Sequence, residues 1–455
     1  MREQRVESFY AKLRQSATSS SSSSPVLIFP STSDVDSLCA LKIILHILQS
    51  DSIQYACYPV SSFHEIHKYV SSASNDHPLS VVLVNWGNHR DLRKTLNLSP
   101  NARVFVVDKD PIKLYRKLKK DYYRLGTFHG KPSGCLMYEL AHFLRRNTNE
   151  LLWLACVSLT DQFVHERLSE ERYHDGVMEL EQHINSSGNL DAPTSVTLKD
   201  GTKIRAPNSS RITYEDQPRL MLLQEWNLFD SMMCSSYIAT KLKTWSENGV
   251  KKLKLLFGRM GFALADCQQQ FQYMNVEVKR KMKQEFERFL PEYGLTDFYY
   301  RSFMRVYRYS RVSAADVVFG VTALLESFVK SDGSCASQNF RWLKLEDSRD
   351  AKLLGYPQAL TKFCYFLMDA LKEKGATMKP LLCACLSQEA GKVLIVGVCG
   401  RPRLAGARGN AFGIAFRTAA EEIGTQFFHE LFESSWIVLD ASAVNSFMVR
   451  LIEKL

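Results

Sequence analysis

No run of apolar residues in this 455-residue chain approaches the roughly 18 that a membrane-spanning helix needs, so no helical span and no membrane partner are expected. A phosphate-binding loop of the G-x-x-x-x-G-K-S/T type is also missing, and ATP hydrolysis by the chain itself is therefore not expected. The 11 cysteines are scattered, and their only close pair, Cys383 and Cys385, has no second pair at zinc-binding spacing. They read as buried reduced thiols of a nuclear or cytosolic protein rather than as disulfides. The apolar run KVLIVGVCG lacks the glycine spacing and the following acidic residue of a dinucleotide fingerprint. No internal repeat is visible. The serine- and arginine-rich start resembles an organelle transit peptide, but Glu3, Glu7 and a serine tract running straight into a core strand argue against that reading.

What is present is ordinary globular composition, 45% apolar and 23% charged, in a chain long enough for two or three domains. The net charge of +10 favours an acidic partner such as nucleic acid. Charge of this kind speaks to association, not to chemistry.

Strand and helix patterns alternate over the first 165 residues. PVLIF (25–29), IQYACYPV (53–60), SVVLVNW (80–86) and ARVFVVD (102–108) read as strands, with helices at 38–48 and 63–70 between them. Near-continuous apolar strands separated by helices predict a parallel sheet covered on both faces. Ligand sites in such sheets form at the carboxyl ends of the strands. Asp34, Asp36, Asn85 and Asp108 all fall there, and Asp161 follows from the buried helical run LLWLACVSLTDQF (151–163). Ser133 is expected to cap the helix CLMYELAHFL. From about 166 to 330 helical patterns dominate. The last third carries LLCACL, KVLIVGVC and SWIVLDA as strands and AFGIAFRTAAEEIG as a helix, a smaller α/β unit.

Clustered carboxylates suit Mg²⁺ or Mn²⁺, which activate water against a phosphodiester. The plainer reading is that aspartates after strands cap helices and turns. The neighbours weigh against a working metal site: Lys109 follows Asp108 directly, no histidine pair stands there, and Asn85 is neutral. Two basic stretches interleave aromatics. Lys113, Arg116, Lys117, Lys120 and Arg124 share one helical face, and Arg301, Arg305, Tyr307, Arg308 and Arg311 lie within YYRSFMRVYRYSR. Both are candidates for weak single-stranded DNA binding by phosphate pairing and base stacking; a solvated charged face is the competing reading for each. The glycine-rich GARGNAFG (406–413) before a helix suits an anion or an ordinary cap.

Several long stretches, in order, resemble the cell division control protein 45 family of eukaryotic replication factors. They are SDVDSLCALKIIL (33–45), HGKPSGCLMYELA (129–141), LLWLACVSLTDQF (151–163), the region from Thr213 to Gly261, SAADVVFG (313–320) and NAFGIAFRTAAEE (410–422). That family is related to the RecJ-type DHH phosphoesterases. The resemblance places Asp34 and Asp36 on the D-x-D of the first motif, Asp108 on the first position of DHH and Asp161 on the T-x-A-D-like motif. The DHH histidines are absent, and Asn85 replaces an expected aspartate. Relatives carry an aspartate-x-histidine-arginine-proline turn and a long acidic segment before the HG motif. Here Asp108 is followed by KDP and a basic helix, and the stretch from Ala370 to Pro380 is short.

The resemblance implies a RecJ/DHH-like parallel-sheet N-terminal domain (25–165) after an N-terminal segment and serine linker (1–24), an inserted mainly helical region (166–330) and a C-terminal DHH-associated-like α/β domain (331–455). It further implies a nuclear, non-catalytic subunit of the replicative helicase. Such a subunit bridges the MCM ring and the GINS complex, with no metal or other cofactor, and the four aspartates are vestigial metal-site positions. The alternative is a divalent-metal phosphoesterase or exonuclease, which the missing histidines oppose. A general RNA- or DNA-binding protein without helicase partners is a third reading.

Overall fold

The computed structural model describes residues 3–18, 25–32, 34–60, 63–73, 79–86, 92, 96, 98, 102–108, 130–165, 167–187, 196–197, 203–204, 211–307, 310–326, 341–345, 354–373, 379–387, 389, 391–399, 411–429 and 435–454. The chain divides into two compact units, one of residues 1–180, 325–362 and 379–455, the other of 181–324 and 363–378.

In the first unit, helix α1 (Glu3–Thr18) precedes β1 (Val26–Pro30), α2 (Val35–Ser50), β2 (Tyr55–Cys57), α3 (Phe63–Ala73), β3 (Ser80–Val84) and β4 (Arg103–Val107). The four strands form a wholly parallel sheet in the order β2-β1-β3-β4. Every residue of β1 and β3 is buried, which is why their sequences are continuously apolar instead of alternating. From β1 the chain goes through α2 to β2 on one side, then returns through α3 to β3 on the other. The carboxyl ends of β1 and β3 are thus a topological switch point, where a crevice opens in this kind of sheet.

Three helices meet beside that edge: α2, α4 (Ser133–Phe143) and α5 (Asn149–Val164). Helix α5 buries residues on all sides, from Leu151 to Phe163, so apolar text surrounds its polar Ser158, Asp161 and Gln162. Gly134 is needed where α4 meets α5, because a Cβ there would stand 2.6 Å from Ser158 Oγ. Helix α6 (Glu170–Ser187) follows.

The second unit is mainly helical, as expected. The two-stranded ribbon β5 (Val196–Thr197) and β6 (Lys203–Ile204) comes first, then β7 (Ile212–Pro218). Next come α7 (Leu228–Cys234), α8 (Ser236–Leu242), α9 (Glu247–Arg259), α10 (Leu264–Gln268) and α11 (Val276–Phe289). These helices surround a core that includes Leu228, Phe229, Leu253, Phe257, Phe286 and Phe298. The unit also holds an antiparallel sheet, β7-β8-β9, with β8 at Tyr299–Tyr307 and β9 at Ser310–Ser313, before α12 (Ala314–Glu326). The aromatic and β-branched residues of β8 favour this extended pairing, so the basic stretch that contains them lies on strands.

Strand β10 (Arg341–Lys344) and helix α13 (Pro357–Glu373) lead into the C-terminal elements. There β11 (Leu381–Leu386), β12 (Lys392–Val398), β13 (Phe427–His429) and β14 (Trp436–Asp440) complete a mixed sheet in the order β10-β11-β12-β14-β13. Helices α14 (Ala411–Ile423) and α15 (Val444–Lys454) bury Phe412, Phe416 and Phe447 with strand residues in one core. Both expected α/β regions are therefore present. Among the described residues, no helix is long and apolar enough to cross a membrane.

Candidate functional site

The switch-point edge brings three of the four singled-out aspartates together. Asp34 is the N-cap of α2: its Oδ1 accepts from the Ser37 amide at 2.8 Å, the capping role expected for an aspartate after a strand. Asp36, in the first turn of the same helix, is fully buried, and its amide faces Asp161 Oδ2 at 3.4 Å. Asp161 reaches that point from α5 and is itself fully buried. Asp108 follows directly on β4 at the same sheet edge, where the Asn85 amide donates to Val107 O at 2.9 Å.

Asn85 occupies the centre of the arrangement. Its backbone is left-handed (φ 57°), a conformation asparagine tolerates better than most residues, at the end of β3. Its Nδ2 donates towards Asp34 Oδ1 at 3.1 Å, Asp34 Oδ2 at 3.3 Å and Asp36 Oδ2 at 2.9 Å. Its Oδ1 accepts from the Ser133 hydroxyl. The side-chain amide thus lies between two carboxylates where a cation would have to stand.

Both oxygens of Asp36 accept further hydrogen bonds. Oδ1 accepts from the Gly134 amide at 2.9 Å and from the Ser158 hydroxyl, and Oδ2 accepts from the Ser133 amide at 3.0 Å. With Asn85, these make four donors on one carboxylate, the full set of its in-plane lone-pair positions. Two of them are free amides at the N-terminus of α4, whose dipole favours a negative charge there. Ser133 was expected to cap α4, but Pro132 holds that position and Ser133 turns its hydroxyl to Asn85. Proline supplies no side-chain cap, and Asp36 satisfies the exposed amides in its place.

Asp34 has a charged partner. Arg167 Nη1 is 3.3 Å from Asp34 Oδ2, and both side chains are nearly buried. At Asp161, Oδ2 accepts from Gln162 Nε2 at 2.9 Å. His165 Nδ1 stands 2.8 Å from the Asp161 carbonyl and 2.9 Å from its Oδ1. Gln162 Oε1 and His165 Nε2 have no hydrogen-bond partner among the described residues, and His165 Nδ1 is the neighbour of Asp161 Oδ1. Burial is the main influence that pushes the His165 pKa below its ordinary value, with Lys362 adding to it, so the ring is neutral. Among the described residues, no group of three or more His, Cys, Asp or Glu side chains is arranged to hold a metal ion. A divalent cation would have to displace amide donors from Asp36 and compete with the guanidinium on Asp34. The residues present do not fit a two-metal hydrolytic centre.

Gly134, Ser158, Arg167 and His165 were not singled out from the sequence, and Ser133 was singled out only as a helix cap. The signal available was the turn GKPSG before a helix, whose first amides need an acceptor.

The expected nucleic-acid residues are distributed differently. Lys113, Arg116, Lys117, Lys120 and Arg124 lie outside the described residues, as do Arg308, the Tyr307 side chain and the loop 401–410. Arg301 pairs with Asp216 at 3.0 Å and lies over the Tyr214 ring at 4.9 Å, and Arg311 pairs with Glu215. Arg305 is half-buried, with Nε unpartnered among the described residues. The two exposed ion pairs are weak enough for phosphate to compete.

The sequence pattern of the CDC45 family matches residues 26–115, 109–337 and 328–454. The Homo sapiens Cell division control protein 45 homolog is 25% identical in an alignment of 558 positions that spans 94% of this chain and 97% of the human protein. The Dictyostelium discoideum homolog is 28% identical over 396 residues, 71% of this chain and 61% of that protein. Among solved structures, CDC45 from Entamoeba histolytica is similar with a TM-score of 0.68 and 18% identity, covering 99% of each chain. At that identity the likeness concerns the fold.

Proposed function

The chain belongs to the CDC45 family of DNA-replication factors, and on that premise we propose that it is a non-catalytic subunit of the replicative helicase assembly. In this reading it acts in the nucleus, joins the MCM ring to the GINS complex and contacts single-stranded DNA weakly. The observation that carries the non-catalytic part is Asp36, whose carboxylate is fully occupied by donors of the protein itself. A hydrolytic centre needs these oxygens for metal; here they join the start of α4 to α2, β3 and α5. The aspartates are thus a structural knot with the layout of a phosphoesterase site, consistent with a degenerate DHH-type centre. Asp34, Asp36, Asp108 and Asp161 are its vestigial positions.

Assembly is tested by affinity isolation of the tagged full chain from replicating-cell nuclear extract, probed for MCM and GINS subunits. Co-isolation of both, resistant to nuclease digestion of DNA, is the expected result. Recovery of neither, from extract in which those subunits are present and assembled, overturns the assembly reading.

A further inference from the structure

Helix α9 carries a surface that the carboxylate knot and the basic strands do not explain. One side of it, with Leu253, Leu256 and Phe257, is built into the core of the second unit. The opposite side exposes Lys251, Lys252, Lys254, Leu255, Gly258 and Arg259. Leu255 is 62% exposed, a large apolar side chain left in water. Helical spacing sets Lys251 and Lys252 one turn before it and Gly258 and Arg259 one turn after. Gly258 has no packing reason among the described residues, since a Cβ there would meet nothing of theirs within 4 Å. It leaves bare backbone beside Leu255, where another chain can approach closely. Arg259 pairs with Glu292 at 2.7 Å, whereas Lys251, Lys252 and Lys254 have no carboxylate at ion-pair distance among the described residues.

We infer that this face of α9 docks an acidic protein segment that presents one large apolar side chain between carboxylates. The apolar side chain covers Leu255 over the notch at Gly258, and the carboxylates meet the three lysines. Lysine stems can lie along the apolar contact while their ammonium groups reach outward. A nucleic-acid strand suits the face less well. It has a leucine at its centre, α9 itself exposes no aromatic ring there for base stacking, and its one arginine, Arg259, is already engaged by Glu292 and lies over the Phe289 ring. The inference stands apart from the helicase assignment, because it names a chemical class of partner and rests on α9 alone.

The test uses the full chain and fluorescence anisotropy with labelled short acidic peptides bearing one central Leu, Phe or Trp. Matched peptides with Ser at the centre, and a labelled single-stranded oligonucleotide, serve as comparisons. Saturable binding of at least one apolar-centred peptide is expected, with the Ser-centred version about tenfold weaker. Leu255→Ser should weaken the apolar-centred peptide to the same level. Lys251→Glu with Lys252→Glu should weaken it further and remove most of its salt dependence. The substituted residues are exposed, so unchanged melting temperatures show that the variants remain folded. No binding to any apolar-centred peptide, equal binding of Ser-centred peptides, or loss of oligonucleotide affinity alone in these variants would each overturn the inference.

Discussion

Replacing Asn85 with aspartate inverts the chemistry of the knot at one atom. The amide nitrogen that donates to Asp34 and Asp36 at 2.9 to 3.3 Å becomes a carboxylate oxygen facing other carboxylate oxygens. Hydrogen bonds to charged groups contribute about 1.5–3 kcal/mol each, and a buried charge left without its partner costs about 3–5 kcal/mol. Asn85→Asp should therefore destabilise the first unit by about 3–5 kcal/mol in the presence of a chelator. At roughly 2–4 °C per kcal/mol for a large domain, the melting temperature should fall by on the order of 10 °C. A further carboxylate between Asp34 and Asp36 also adds a cation ligand, so millimolar Mn²⁺ should recover part of the loss in the variant. It should leave the wild type unchanged. Scanning fluorimetry with EDTA or Mn²⁺ measures both effects. Equal melting of variant and wild type in EDTA would refute the claim that the Asn85 amide holds the carboxylates together.

The purified chain with Mg²⁺ or Mn²⁺ should leave end-labelled single-stranded DNA intact; metal-dependent cleavage lost in Asp34→Ala with Asp161→Ala would refute the non-catalytic assignment. Single-stranded DNA affinity should fall with salt, each neutralised phosphate adding about 0.7 to the negative log–log slope. Lys117→Glu with Lys120→Glu should flatten that slope, and Arg301→Ala should change it less because Asp216 already pairs with Arg301; an anisotropy salt series reads both. Burial pushes the Asp316 carboxyl up to about 6, although the Gln224 amide donates to it at 3.1 Å. The folded state then holds a proton that the unfolded chain has released, so stability should fall as pH rises from about 4 through 6. Asp316→Asn should lack this component, its melting temperature gaining on wild type across that window by the equivalent of up to about 3 kcal/mol; parallel pH curves would refute it.

The strand ends were legible because parallel strands announce themselves by continuous apolar runs: PVLIF and SVVLV place Asp34, Asp36 and Asn85 at one edge before any contact is known. The apolar text around Asp161 likewise indicated a buried helix. What filled the site was not legible. The amides of Ser133 and Gly134 reach Asp36 across 97 and 98 residues, and the Ser158 hydroxyl across 122, contacts set by helix packing and not by local periodicity. The misplaced cap has the same origin. A serine at the start of a helix signals a cap locally, while the carboxylate that serves the amides comes from another helix. The three-stranded sheet β7-β8-β9 was hidden because β7 and β8 pair across a long helical insertion, and the basic residues of β8 read first as charge.

Replication in a nuclear extract depleted of its own CDC45-family protein tests the central claim most directly. Wild-type chain and Asp161→Asn are added back, and labelled nucleotide incorporation is measured beside MCM and GINS co-isolation. Asp161→Asn keeps the size of the side chain but removes the charge that a metal-dependent reaction would need. The expected result is equal restoration of DNA synthesis by both proteins. Asp161→Asn that folds and associates with MCM and GINS like the wild type, yet supports no synthesis, would contradict a purely structural role for the carboxylates.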